Sequence, residues 1–534
     1  MPELSKAKEV LVVGAGPTGL TLAHELRRRG VTVRLVDGAA GPSPTSRSMA
    51  THARTLEMYD QMGVLPQILT RGRRVQHFSM YQRGRRLVRF GPDYSELPTR
   101  FPFTVVIDQS RTEEVLRGSL RDLGVEVEWG TRLESLSQDS GGVRAHLRDS
   151  HGNVEEYDVP WLVGCDGGHS TVRNELGLRL QGDSSETWLI ADAESDLGLP
   201  GDSLHLMHVS GGSVMAVPFP DEGKWRLLDT VDVDYDGSPE HVAQRFAAKL
   251  SAGCGRRVKV SPPSWVSVFT IQQRMIPRMG AGRCFVAGDA AHVHSPASGQ
   301  GMNTGIQDAV NLSWKLAMVV RGQAEPGLLD TYGAERVPVG EHLLSATKTA
   351  TRFVSLKDAL QSITMPLAFF VIRNVPAIRG RIERTIMRGM TALALDYTGS
   401  PLAITTGADS DNGPRPGERM TKVTQDQADQ PSWKAFLEQL REPVWTLLTF
   451  GDGWDEDTVD ELRSVCSDWL SVLRIDGGGT GPGSEDAMRE RLGTGPDEWL
   501  LVRPDGYLCA RGSRLPELDA AMRSLHLTRR PKLV

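Results

Sequence analysis

Three acids that close apolar runs, each beside a glycine turn, are the residues of this chain whose spacing could do chemistry. The run Cys284-Phe285-Val286-Ala287 ends in Gly288-Asp289, then passes through a Ser/Pro/Gly-rich loop into a helical pattern containing Ile306, Val310 and Trp314. The run Glu9 to Val13 ends in Gly14-Ala15-Gly16-Pro17-Thr18-Gly19, and the strand-like run Val31 to Val36 closes on Asp37. A third run, Trp161 to Cys165, closes on Asp166-Gly167, with a helix beginning at Thr171. Strand, turn, then helix presents polar ligands outside the carboxyl ends of parallel strands, with anionic groups at helix N-termini. In G-x-G-x-x-G the glycines permit the tight turn and let backbone N–H groups approach a pyrophosphate, while an acid about twenty residues on accepts from ribose hydroxyls. Asp37 stands at that distance, and a carboxylate there repels a 2′-phosphate, so the site favours FAD or NAD over NADP.

The elements that must position these turns are legible as periodicity. Leu20 to Arg29 reads as a helix ending at Gly30. Arg47 lies in a polar loop, and Arg54 starts a helical run with Leu56, Met58, Tyr59 and Met62. Each arginine reads either as a diphosphate or nicotinamide contact or as a solvated surface residue. Val105 to Gln109 is a strand that turns into a helix near Arg111, so Gln109 and Arg111 are cofactor contacts or caps. From Val125 to Tyr157 the runs VEVEWG, GVRAHLRD and NVEEYDV predict a three-stranded meander turning at His151-Gly152-Asn153. Between about 180 and 275 the chain alternates like a sheet. Counting by two puts Met215, Val217 and Phe219 on one face and Trp225 and Leu227 on another. Met215, Pro218, Phe219 and Trp225 are candidate contacts for an aromatic ligand, because apolar walls with a few polar groups suit one; plain core packing is the competing reading.

At 534 residues the chain should form two or three domains. A hydrophobic content of 39% with 24% charged residues reads as globular, and a net charge of −6 gives no general attraction to nucleic acid or an anionic membrane. The five cysteines are scattered without C-x-x-C or metal spacing, which argues against a disulfide framework or a zinc site and for the reducing cytosol. The N-terminus runs almost directly into a strand, and neither a signal peptide nor a membrane span is expected. Pro401 to Gly417 is a turn-rich linker. Beyond it TLLTF, SVLRI and EWLLVRPDGYLCARG read as strands, with Pro504-Asp505-Gly506 as a hairpin turn.

Taken together, GAGPTG at 14–19, DGGHSTVR at 166–173 and GDAAHVHSPASGQGMN at 288–303 resemble the fingerprints of the single-component FAD-dependent aromatic hydroxylases, the p-hydroxybenzoate hydroxylase fold. The likeness covers roughly residues 8 to 400, and HARTLEMYDQMG at 52–63 resembles the phenol- and polyketide-type branch. It implies an α/β architecture: a Rossmann-like FAD-binding domain (1–178 and 276–400), an inserted mixed β-sheet substrate domain (179–275 with part of 70–105) and a thioredoxin-like C-terminal domain (401–534). Lacking C-x-x-C, the tail is expected to serve packing or oligomerisation, a homodimer included. Gly14, Gly16, Pro17, Thr18 and Gly19 would hold the FAD pyrophosphate, and Asp37 with Gly38 the adenosine ribose. Arg47, Gln109 and Arg111 would contact FAD along its length, and Asp166, Gly167 and Arg173 would link it to incoming NADPH or NADH. Gly288 and Asp289 would bind the ribityl or diphosphate portion, and Pro296, Gly299, Gly301, Met302 and Asn303 would line the flavin ring. Pro296 and Arg54 are expected nearest the chemistry. The implied activity is insertion of one oxygen atom from O2 into a phenolic or polycyclic aromatic, polyketide-like substrate by way of a flavin hydroperoxide. Alternatives are Baeyer–Villiger oxidation of a ketone, or a non-catalytic FAD- or drug-binding protein.

Overall fold

The computed structural model describes residues 8–528, apart from 46–47, 92, 210–211, 294–298, 355–371, 373, 407–412, 452–453, 455, 467, 476–484 and 496. Val10–Val13, fully apolar and buried on both faces, lies near the middle of a six-stranded sheet. The strand order is Gly280–Ala281, Cys284–Val286, Trp161–Gly164, Val10–Val13, Val33–Asp37 and Val127–Trp129, and every pairing but the first is parallel. Continuous Val/Leu runs are what a parallel sheet covered on both sides requires. Its carboxyl edge carries the Gly14, Asp37, Asp166 and Gly288 turns together. Helix Pro17–Arg28 starts at Gly16 and buries Leu20, Leu22, Ala23 and Leu26. It packs against the long helix Gln300–Val320, most of whose residues are buried all round.

An eight-stranded sheet lies beside it, in the order His292–Val293, Trp265–Met275, Gln181–Glu194, Lys224–Asp229, Gly212–Pro218, Ser203–Val209, His77–Gln82 and Arg85–Phe90. Side-chain alternation gives it two apolar faces. Leu206, Met215, Val217, Phe219 and Leu228 share one cluster with Met49, which precedes strand Ala50–Thr51, and Val106 of its partner strand Thr104–Val106. Met207, Val214, Ala216, Trp225 and Leu227 pack on the opposite face against Val242, Phe246 and Leu250 of helix Pro239–Cys254.

The expected meander differs in composition. Val127–Trp129 joins the six-stranded sheet, and the three antiparallel strands are Arg132–Gln138, Val143–Arg148 and Val154–Val159. Arg132–Gln138 hides because its burial alternates only weakly, leaving little period-two signal. Helices Asp330–Val354 and Pro376–Met390 follow. The C-terminal sheet runs Leu470–Ile475, Trp445–Phe450, Trp499–Val502 and Leu508–Gly512, parallel in its first pair and antiparallel in the others. One face packs on Trp314 and Met318 of the long helix, with Trp314 edge-on to Trp445 at 5.4 Å between ring centroids. The other face is covered by Trp433, Phe436 and Leu437. The segment read as a linker is hydrogen-bonded to the sheet: Gly417 N–H donates to Leu508 O at 2.7 Å and Ile404 N–H to Cys509 O at 2.8 Å.

Candidate active site

Asp37 fastens the first turn. One carboxylate oxygen accepts from Ala15 N–H at 2.7 Å and the other from Ala39 N–H at 2.8 Å, leaving further lone pairs on each. Gly14 has φ +105°, and a side chain there would overlap the Cys165 carbonyl; one on Gly19 would overlap the Gly14 carbonyl. Gly16 differs, since a Cβ there meets nothing within 4 Å. The helix N-terminus it begins has no side-chain cap. Gly38 instead lies against Arg132, whose Nε would sit 3.0 Å from a Cβ.

Thr18 locks two motifs together. Its hydroxyl and Cβ fill the space beside Gly288 and Gly305, so any side chain at either glycine would overlap it. Gly288 has φ +64° and opens the 3-10 turn Gly288–Ala290. The exposed Asp289 directs Oδ1 to within 4.0 Å of where a Gly301 Cβ would stand. Helix Gln300–Val320 begins at Gly299, φ +63°, with no side-chain cap, so its first-turn N–H groups are directed beyond the helix. Met302 is buried. Asn303 has its side chain spent within the protein: Nδ2 donates to Ala50 O and Gly299 O, both at 2.8 Å, and Oδ1 accepts from His52 N–H at 2.9 Å. It clamps strand Ala50–Thr51 to the helix start and presents no side-chain group to a ring. Pro296 and Arg47 lie outside the described residues.

The remaining expected contacts are tied to protein partners. Gln109 accepts from Ser48 N–H at 3.0 Å and donates to Glu113 at 2.9 Å. Arg111 pairs with Asp221 of the eight-stranded sheet's loop at 2.7 Å. Asp166 accepts from the Ser170 hydroxyl and from Thr171 and Val172 N–H, so it caps the short helix beyond Gly167. Burial raises its carboxyl above the ordinary value, against the lowering effect of those donors. Arg173 bridges two motifs, donating to Ala290 O at 3.2 Å and Gly168 O at 2.9 Å.

Two expectations are corrected. Arg54 is fully buried; it pairs with Glu57 at 2.9 Å, donates to Asp505 O at 2.7 Å and lies over the Tyr507 ring. It is a fastener between the Ala53–Gln61 helix and the C-terminal domain, because a guanidinium walled in on all sides cannot meet a substrate. Trp225 lies on the face away from Met215 and Phe219, its indole N–H donating to Ser195 O at 3.1 Å. Of the four candidates, Met215 and Phe219 share the cluster that also holds Met49, next to the strand that Asn303 ties to the start of the long helix. Pro218, Phe219 and Trp225 also border a surface cavity of about 560 Å³ with Arg73, Lys224 and Lys259.

Sequence reasoning missed a buried polar stripe on the long helix. Thr304, Asp308, Asn311 and Lys315 recur at helical spacing and face Glu335 and Arg336. The spacing was the available signal, masked by the apolar residues around it. Among the described residues no His, Cys, Asp and Glu cluster could hold a metal, and no helix is long and apolar enough to cross a membrane.

These residues fit FAD. An open glycine face, two helix starts without side-chain caps, Asp37 and the exposed Asp289 converge at the carboxyl edge of one parallel sheet. Residues 7–347 match the family described as FAD binding domain. The chain belongs to the FAD-dependent aromatic hydroxylases, the flavoprotein monooxygenases of the p-hydroxybenzoate hydroxylase fold. Among its relatives, the 6-methylpretetramide 4-monooxygenase of Streptomyces rimosus is 50% identical over 99% of this chain and 95% of its own length. The 12-dehydrotetracycline 5-monooxygenase/anhydrotetracycline 6-monooxygenase of Streptomyces rimosus subsp. rimosus is 31% identical over 94% of each chain. The solved anhydrotetracycline hydroxylase from Streptomyces rimosus superposes with a TM-score of 0.73 at 29% identity, covering 98% of this chain and 99% of that one.

Proposed function

We propose that this flavoprotein monooxygenase hydroxylates a polycyclic phenolic substrate of the tetracycline-precursor type, taking electrons from NADPH or NADH. The observation that carries the reading is the Thr18–Gly288–Gly305 junction, which brings the two flavin fingerprints into contact in a chain half identical, over nearly its full length, to a 6-methylpretetramide monooxygenase. Bound FAD supplies acceptance of a hydride from the nicotinamide donor and activation of O2. The chain's residues do the rest. The Gly14–Gly19 turn and Asp37 would hold the nucleotide end, and Asp289 with the Gly301 backbone the middle. The uncapped N-terminus of helix Gln300–Val320 would offer its positive end to negative charge on the bound group. Met215 and the apolar sheet face around it cover the substrate and exclude water. No side chain need act as a nucleophile.

The domain limits we propose are 1–178 with 276–400, 179–275 with part of 70–105, and 401–534, the last of thioredoxin type; its mixed four-stranded sheet with flanking helices supports that reading. The test is NADPH and NADH oxidation by the FAD-loaded protein, with and without 6-methylpretetramide, alongside mass analysis of the product. Stimulated oxidation with a hydroxylated product is expected; oxidation indifferent to the aromatic compound, with no oxygenated product, would sink the assignment.

A further inference from the structure

We propose that Asp308 is a positioning residue: its carboxylate sets the Gly288–Asp289 turn for FAD, and Arg336 and Tyr397 tie that carboxylate to the C-terminal Arg503–Tyr507 hairpin. The proposal rests on the FAD reading and adds to it a residue that touches neither cofactor nor substrate.

Asp308 is completely buried on the long helix. One carboxylate oxygen accepts from Gly288 N–H at 3.0 Å and from His292 Nε2 at 2.6 Å; the other accepts from Arg336 Nε at 2.6 Å. Burial by itself would raise this carboxyl, but Arg336, His292 and the Gly288 N–H hold it well below the usual carboxylate range. The anion is therefore permanent, and it receives the backbone N–H of the residue that precedes Asp289. Thr18 forbids any side chain at Gly288, so the turn cannot be fixed by packing of its own side chain. This is the side-chain bond to the Gly288 N–H, beside the backbone bonds Ala287 N–H to Gly164 O and Ala291 N–H to Gly288 O.

Arg336 extends the chain of contacts outward. It donates to the Tyr397 hydroxyl at 3.0 Å and to Thr304 O at 3.3 Å. The Tyr397 ring stands 4.5 Å from Tyr507 between centroids, with the Arg503 guanidinium 5.0 Å from its own centroid. Arg503 grips Glu335, the neighbour of Arg336, through both nitrogens at 2.6 and 3.0 Å. Every link is a direct contact between buried groups, where loss of a partner is felt most. On this reading the C-terminal domain braces the flavin turn from behind.

The test measures FAD affinity by fluorescence titration of the reconstituted apoprotein, with thermal melting in parallel. Asp308→Asn should weaken FAD roughly tenfold or more, the worth of a hydrogen bond to a charged group. Tyr397→Phe, which removes only the hydroxyl, should weaken it about three- to fivefold, and both should shift the bound-flavin spectrum. Leu448→Ala is the control, a cavity in the C-terminal core at a side chain that makes none of these contacts; it should lower the melting temperature and leave FAD affinity within about twofold. Unchanged affinity in Tyr397→Phe, or in a folded Asp308→Asn, overturns the proposal. So does a loss in Leu448→Ala matching that of Tyr397→Phe. A wild-type protein that binds no FAD ends the FAD reading and this proposal together.

Discussion

Arg503 and Glu335 form a two-pronged ion pair, 2.6 and 3.0 Å, with neither side chain exposed at all. The two come from different parts of the chain, one from the hairpin connection after strand Trp499–Val502 and one from helix Asp330–Val354. Lys315, Asn311 and Ser400 also bond to Glu335, and Asp505 bonds to Arg503. Glu335 is held well below the usual carboxylate range by Arg503 and Lys315, overcoming the raising effect of burial.

Removing one partner of such a pair leaves a buried charge without compensation. Arg503→Met should cost about 3–5 kcal/mol, read as a fall in the urea midpoint. A loss under about 1 kcal/mol would mean that Lys315 alone suffices to hold Glu335.

The glycines of the first turn should separate folding from binding. Gly16→Ala adds a methyl group to open space at φ −73°, an ordinary backbone conformation, so apoprotein stability should be unchanged. That same space is the approach to the turn's N–H groups, so FAD affinity should drop by roughly tenfold or more. Gly19→Ala drives a methyl group into the Gly14 carbonyl and should destabilise the apoprotein itself by about 1–3 kcal/mol. Equal effects of the two on apoprotein melting would contradict this division.

Asp289→Ala should leave the fold intact, since the side chain is exposed. FAD should be lost on gel filtration, leaving a colourless protein. Retention of stoichiometric flavin would remove Asp289 from the site.

Arg54→Met distinguishes a fastener from a catalyst. Burial against Glu57, Tyr507 and the Asp505 carbonyl predicts a stability loss of about 3 kcal/mol, with kcat per flavin-loaded molecule unchanged. A fall in kcat without a fall in melting temperature would restore it to the chemistry.

How far the sequence carries is plain from single residues. The Gly14–Gly19 turn, Asp37 and the Gly288–Asp289 turn were legible because each motif is local, a strand end joined to a helix start within a few residues. Alternation likewise separated Met215 from Trp225, although naming both as substrate contacts ignored what that separation meant. Asp308, Arg336 and Tyr397 were not legible, because their meaning lies in contacts between residues tens of positions apart. Arg54 misled for the same reason: its place beside a cofactor motif suggested chemistry, while its partner Asp505 comes from the far end of the chain. Periodicity says which face of an element is buried, but not what it is buried against.

His205 gives the pH dependence a definite sign. It is buried in the eight-stranded sheet between Tyr81 and Trp225; Nε2 donates to Pro200 O at 2.9 Å and Nδ1 has no hydrogen-bond partner among the described residues. Burial pushes its pKa down from 6.5 to about 4, the bond to Pro200 opposing only in part. Above pH 6.5 the ring is neutral in both folded and unfolded chains, and it contributes nothing to pH dependence. Between pH 6.5 and about 4 the unfolded chain takes up a proton that the folded chain refuses, so stability falls as pH falls and levels off below about 4. The full swing is on the order of 3 kcal/mol. His205→Gln, which cannot titrate, should be less stable than wild type at pH 7 yet lose less stability on acidification. Urea midpoints of both proteins at pH 7, 5 and 4 check it, and parallel curves would show that His205 does not govern the acid limb.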